Sequence, residues 1–285
     1  MNPDLAYALA ALVCYGLGDF IYKRAASAGI AADHFLMGQS WCFCPTIICY
    51  AWLTGTLRFE PSAAWGCVAG VFILVGFMNY VAALRTGSVS VVAPVFRLNF
   101  IVTAALAMGW LGEPATLAKL AGFALALLAG WLLLGGARST GTPDSRVARR
   151  ALGQVLLATI TMGSANFCHK LGLIGGATPE TMLVAQAVVY TGMMNGVGYA
   201  RHGTLRLPPG VLRHSVSAAL VLTAAFLFLL HSLRHGDASV VVPISQMGFG
   251  VAAVLGIVVF HEAVTLRKIA GLGLATLALL VLAVG

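Results

Sequence analysis

Long apolar runs alternate with short polar intervals along the whole 285-residue chain. A membrane hydrocarbon core of about 30 Å is crossed by about 20 apolar residues in a helix. Runs of that length predict ten membrane-spanning helices, over residues 5–25, 34–54, 63–84, 88–111, 116–136, 151–174, 178–200, 212–233, 238–260 and 265–284. Little sequence remains for a soluble domain.

The composition excludes an ordinary soluble protein. The chain is 60% hydrophobic and 9% charged, with a mean hydropathy of +0.93, whereas soluble domains are about 25% charged. We therefore expect a multi-pass protein of the cell (inner) membrane. The opening MNPDLAYALAALVCYGLG lacks the positive n-region and cleavage site of a secretory signal, so the first span is expected to remain.

The basic residues bear on orientation rather than on nucleic acid. The net charge is +8, and almost all Lys and Arg residues lie in or beside short intervals between spans, as topology signals do. If side A is the side of the N-terminus and side B the opposite one, 12 of them lie toward side B and four toward side A. The positive-inside rule then makes side B cytoplasmic.

The sequence contains an internal duplication. Residues 84–133 align with residues 233–282 at an offset of 149, with about 22 of 50 positions identical, among them Glu113 with Glu262. Nearer the start of each half the offset is 147, which matches Gly16 with Gly163. This predicts a first repeat at 1–136, an inter-repeat loop at 137–150 and a second repeat at 151–285.

Each repeat holds five spans, and because five is odd the second repeat enters the membrane from the opposite side. The predicted fold is therefore an all-α membrane protein of ten helices, arranged as two inverted five-helix repeats around a central cavity. Inverted repeats recur in transporters, with the substrate site near the midplane between the repeats.

Two matched prolines, Pro94 and Pro243, predict helix kinks in spans 4 and 9. Each removes a helical hydrogen bond and frees the carbonyl four residues earlier, of Ser90 and Ser239. Broken helices at membrane depth occur where they are buried in protein or line a water-filled cavity. Two interpretations stay open: a packing kink, or a kink that faces a site.

Arg97 is a charge inside an apolar run, where an ionised side chain normally marks a paired or functional group. At 1.5 Å per residue, Asp19 in span 1 and Arg97 in span 4 lie at nearly equal depth toward side B. Three interpretations follow. The two form a structural ion pair, they flank a site for a zwitterion or anion, or protons couple through Asp19, His169 or His231.

The positions matching Asp19 and Arg97 in the second repeat are neutral amides, so a pocket between the repeats would be polar but asymmetric. The candidate substrate-binding residues are Asp19, Arg97, Asn99, Tyr80, Asn166, Gln246 and Phe228. Tyr80, Phe96 and Phe228 would supply an apolar wall.

Other chemistry finds little support. The six cysteines lie in apolar runs and WCFC is C-x-C, so we predict no metal site and no cofactor. No spans carry clustered acids, bases or nucleophiles, which disfavours an enzyme. A P-loop pattern, which an ATP-driven pump would carry, is absent from the sequence.

The segments YGLGDFIYK, GSVSVVAPVFRLNF, GEPATLAKLAGFALALLAG and HEAVTLRKIAGLGLATLAL resemble the EamA family of the drug/metabolite transporter superfamily. The resemblance covers nearly the whole chain. It implies a cavity lined mainly by the first, third and fourth helices of each half. It also implies cytoplasmic termini, opposite to the charge count. The sequence departs from the family pattern at Tyr15, where Trp is common, and at Arg97.

The resemblance implies a secondary transporter of small polar metabolites. Arg97 favours export or exchange of amino acids or related carboxylate-bearing solutes by alternating access. A multidrug or cationic-compound exporter and a lipid-carrier flippase of the same fold are the alternatives. The expected partners are a small-molecule substrate, the lipid bilayer and a coupling ion such as the proton, in a monomer or homodimer.

Overall fold

The computed structural model describes residues 3–58, 60–86, 92, 95–134, 145–260 and 265–284. Within those ranges the chain is helical, with short turns and no β-strand. The first repeat contains helices α1 (Pro3–Ser27), α2 (Ala32–Leu53), α3 (Ala64–Thr86), α4 (Asn99–Trp110) and α5 (Leu117–Leu134). The second contains α6 (Ser145–Ile174), α7 (Pro179–His202), α8 (Val211–His235), α9 (Ala238–Gln246), α10 (Phe249–Phe260) and α11 (Leu266–Val284).

These helices form the ten predicted spans, because α9 and α10 together make the ninth. By length and hydropathy, five described segments can each cross a membrane: Pro3–Tyr22, Pro61–Ala83, Arg149–Ile174, Val211–His235 and Leu266–Val284. Shorter apolar helices occupy the fourth, fifth and ninth spans. The fold is the predicted one of two inverted five-helix repeats.

One predicted boundary is wrong. Helix α6 begins at Ser145, so the last part of the expected loop 137–150 is helical. Arg149 and Arg150 in this part are exposed. Arginine is a good helix former, and the helix therefore continues beyond its apolar section into the polar region on side B.

The break in the ninth span lies a few residues beyond its proline. Pro243 lies inside α9, and the helix ends three residues later, at Gln246, before Met247 and Gly248. A Cβ atom built on Gly248 would lie 2.7 Å from the Gly16 nitrogen and 2.8 Å from the Leu12 carbonyl oxygen. The close crossing with α1 therefore fixes the position of the break. Pro94 lies outside the described residues.

The two repeats pack against each other through matched glycines. A Cβ on Gly16 would lie 2.5 Å from Cβ of Val251, and a Cβ on Gly163 would lie 2.5 Å from Cβ of Val102. Val102 and Val251 are themselves repeat mates at the offset of 149. The first helix of each repeat thus crosses the broken fourth helix of the other, which brings both breaks to the interface between the repeats.

Candidate functional site

Arg97 and Asp19 form an ion pair. Arg97 lies on a helical turn at 95–97 that precedes α4, and its Nη2 donates to Oδ2 of Asp19 on α1. The side chains remain 19% and 36% accessible, respectively. The pairing expected from equal depth is thus present. The partial accessibility means that the pair borders an open space and is not sealed in a dry core.

The second partner of Arg97 is its own repeat mate. Arg97 Nη1 donates to Oε1 of Gln246 at 3.4 Å, and the two positions are 149 residues apart. Two positions related by a pseudo-two-fold axis can touch only close to that axis, as in the isologous contacts of symmetric dimers. The Arg97 group therefore lies on the axis between the repeats.

Aromatic rings flank this group on one side. Tyr80 of α3 stacks on Phe96, next to Arg97 in the chain, with ring centroids 4.1 Å apart and planes at 25°. Phe228 lies elsewhere, stacked on Tyr7 at 6.3 Å. The structure therefore places Tyr80 and Phe96, two of the three predicted wall residues, beside Arg97.

Two buried amides carry polar atoms without a partner among the described residues. Asn99 is fully buried and donates from Nδ2 to the carbonyl of Phe96 at 2.9 Å, while its Oδ1 has no partner in that set. Asn166 is 3% exposed, and its Nδ2 likewise lacks one. Buried amides normally satisfy their hydrogen bonds. Each of these two therefore has one donor or acceptor free for a bound polar molecule.

The two candidate histidines lie apart from one another. His169 is completely buried, with Nε2 2.7 Å from Oε1 of Gln186. His231 is at the side A end of α8, with Nε2 3.1 Å from Oε1 of Glu180. Of the three groups proposed for proton coupling, Asp19 is the one that contacts Arg97.

A second polar cluster holds the repeats together near side A. Both Glu113 carboxylate oxygens accept hydrogen bonds, at 2.8 Å each, from the backbone N–H groups of Ala238 and Ser239 at the start of α9. The buried Lys119 donates from Nζ to Asp237 Oδ2 at 2.9 Å and to Ser239 Oγ at 3.0 Å. The loop and helix of the first repeat thus cap the broken helix of the second, as helix N-termini require.

The repeat alignment matches Glu113 with Glu262 but does not predict the contacts of Lys119 and Lys170. Lys170 donates from Nζ to the carbonyls of Leu233 and Gly236, at 2.8 Å each, at the end of α8. Lysines beside the polar intervals of a membrane chain look like topology signals. Lys119 and Lys170 each match a lysine in the other repeat, Lys268 and Lys23. This repetition was the feature of the sequence that indicated a structural role for both.

Comparison with known proteins agrees with this architecture. The chain matches the model of the EamA-like transporter family twice, over residues 3–135 and 149–284. A solved structure, described only as the crystal structure of a protein, has a TM-score of 0.78 at 17% sequence identity, covering 98% of this chain and 95% of that chain. At that identity the likeness shows the fold alone. No curated protein matches the sequence.

Proposed function

Because the chain is a member of the EamA-like transporter family, we propose that it is a secondary-active transporter whose central site, at Arg97, binds small polar solutes carrying a carboxylate. Amino acids are the substrate class that fits best. The observation that carries the proposal is the Arg97 guanidinium on the pseudo-two-fold axis, held by Asp19 and Gln246.

The chemistry of the site favours a zwitterion. A guanidinium binds a carboxylate through two parallel hydrogen bonds, so a substrate carboxylate can take the place of Asp19 and Gln246 on Arg97. The released Asp19 carboxylate is then free to accept from the substrate's ammonium group, or to take up a proton. Asn99 Oδ1 and Asn166 Nδ2 offer one further acceptor and one further donor.

The positions of the helix breaks support alternating access as the mechanism of this transporter. The α-helix is interrupted by a turn at Leu98, directly after Arg97, and by a turn at Met247 and Gly248, directly after Gln246. In transporters with inverted repeats, discontinuous helices form the substrate site near the midplane, and one repeat or bundle rocks against the other around that site. Substrate exchange at Arg97 therefore acts directly on both hinges.

The test is counterflow in proteoliposomes that are preloaded with amino acids, organic anions or organic cations. Wild type, Arg97→Gln and Arg97→Lys are compared with Arg213→Gln, a control at an exposed arginine at the start of α8. We expect uptake of a carboxylate-bearing solute that falls at least about tenfold in Arg97→Gln and is unchanged in the control.

Three outcomes would count against the proposal. Carboxylate uptake that is unchanged in folded Arg97 variants would show that Arg97 serves only as part of a structural ion pair. Uptake of cations alone would favour the multidrug exporter. Lipid scrambling without solute uptake would favour the flippase.

A further inference from the structure

Three metal-ligand side chains meet on side B, where α2 begins and α7 ends. Oδ2 of Asp33 is 3.1 Å from Nε2 of His202, and Oδ1 of Asp33 is 3.9 Å from Nδ1 of His34. The two imidazole rings stack with centroids 4.4 Å apart. One donor atom from each of the three residues lies within 4.8 Å of the other two.

Repeat symmetry does not account for this cluster. The mate of Asp33 is Glu180, whose partner is His231 at 3.1 Å. The position matching His231 in the first repeat holds Ala82, and a small cavity of about 40 Å³ lies there, lined by Ala82 and Asp33 among others. Asp33 thus lacks the partner that the fold would give it and has two other histidines instead.

The donor set is that of a transition-metal site. Two imidazole nitrogens and one carboxylate oxygen, with remaining coordination positions open to water, suit Zn²⁺ and other first-row divalent ions, whereas Ca²⁺ prefers oxygen ligands alone. We propose that Asp33, His34 and His202 bind one divalent transition-metal ion of this class. The spacing along the chain gave no sign of the site, because Asp33 and His202 are 169 residues apart.

Only small movements are needed to close the site. Zn–N and Zn–O bonds of about 2.0–2.2 Å require donor atoms closer together than the widest separation here. Asp33 is held in place, since its Oδ1 accepts from the His34 backbone N–H at 3.1 Å. The His34 and His202 side chains are 21% and 30% exposed, so both rings have room to turn toward the carboxylate.

Arg201 competes with the metal. Its Nη1 lies 4.0 Å from Oδ2 of Asp33, and its side chain is 47% exposed. A cation bound at Asp33 repels this guanidinium, which can swing outward into solvent. Removal of the Arg201 charge should therefore tighten metal binding, which is the opposite of what loss of a supporting residue would do.

The bound ion would join the two repeats. Asp33 and His34 open α2 of the first repeat, while His202 ends α7 of the second. These helices already pack together, with Trp41 Nε1 donating to Asn195 Oδ1 at 2.7 Å. A metal bridge fixes their ends on side B, so metal binding should also raise the thermal unfolding temperature.

The experiment is calorimetric titration of Zn²⁺ into the untagged full chain in detergent, with the cysteines blocked by N-ethylmaleimide. Ca²⁺ serves as the control ion. His235→Ala, at an exposed histidine toward side A, is the control for His34→Ala and His202→Ala. We expect one Zn²⁺ per chain, with affinity at least about tenfold weaker in each site variant, unchanged in His235→Ala and about fivefold tighter in Arg201→Gln.

Thermal unfolding without metal shows whether each variant is folded. The proposal is overturned if Zn²⁺ does not bind, if it binds equally to both site variants, or if Arg201→Gln binds it no more tightly than wild type. A Ca²⁺ affinity equal to that for Zn²⁺ would also contradict the proposal, because binding would then reflect unspecific attraction of cations to the Asp33 carboxylate.

Discussion

At the scale of single residues, depth in the membrane predicts one of the two contacts of Arg97 but not the other. Counting residues from the span centres placed Asp19 and Arg97 at one level, and the two side chains do pair. The contact between Arg97 and Gln246 did not follow from depth, because it depends on where the pseudo-two-fold axis passes. Repeat mates are visible in sequence, but their contact is a property of the packing.

A double-mutant cycle tests the coupling of the charges. Asp19→Asn and Arg97→Gln should each destabilise the protein by about 1–3 kcal/mol, less than for a sealed pair, because these side chains are partly accessible. The double variant should be more stable than the sum of the single effects predicts, since no charge is left unpaired. The measurement is thermal or denaturant unfolding in detergent, and additive losses would show that the pair is uncoupled.

At the scale of helices, close crossings decide where the chain bends. Gly16 and Gly163 sit where the first helix of one repeat meets the fourth helix of the other. The sequence showed that these glycines occupy matching positions in the two repeats, and it also predicted the ten spans. The position of the break after Pro243 could not be read from the sequence, because a proline shows where a hydrogen bond is missing, whereas the break lies where α1 approaches Gly248.

The matched glycines give a prediction with an internal control. Gly16→Ala and Gly163→Ala should each destabilise the fold by about 1–3 kcal/mol through overpacking, because each added methyl meets a valine and a backbone carbonyl. Gly153→Ala in α6 meets nothing within 4 Å and should stabilise the helix by up to about 1 kcal/mol. Thermal unfolding of all three variants provides the measurement, and equal effects at all three positions would refute the role of the crossings.

The cap on α9 gives a graded prediction. Glu113→Ala removes both acceptors from the backbone N–H groups of Ala238 and Ser239 and should cost about 1–2 kcal/mol of stability. Glu113→Gln keeps one acceptor oxygen and should cost less. Hydrogen exchange at residues 238–241 should rise in the same order, and exchange that stays unchanged in Glu113→Ala would contradict the capping role.

At the scale of the whole molecule, the charge asymmetry between the two ends of the bundle predicts an orientation in the membrane. Side B carries 12 Lys and Arg residues against four on side A. Two of the four on side A, Lys119 and Lys170, are buried and make hydrogen bonds within the protein. Their structural roles leave side A with still fewer charges that act as topology signals.

This count predicts that side B faces the cytoplasm and that the C-terminus lies outside. A reporter that is active only outside the membrane, fused after residue 285, should therefore be active. Activity of a cytoplasmic reporter at the same position would instead support the orientation that the family resemblance implies.

The contact between Arg97 and Gln246 also bears on how such a molecule can arise. In a dimer of two identical half-length chains, a residue on the axis faces its own copy, so an arginine there would meet a second arginine. A single arginine on the axis therefore requires two halves of different sequence. Fusion of a duplicated gene supplies them, because each half can then change without the other. The ion pair of Arg97 with Asp19, whose repeat mates Gln246 and Asn166 are neutral, is thus a property that no symmetric ancestor could have encoded.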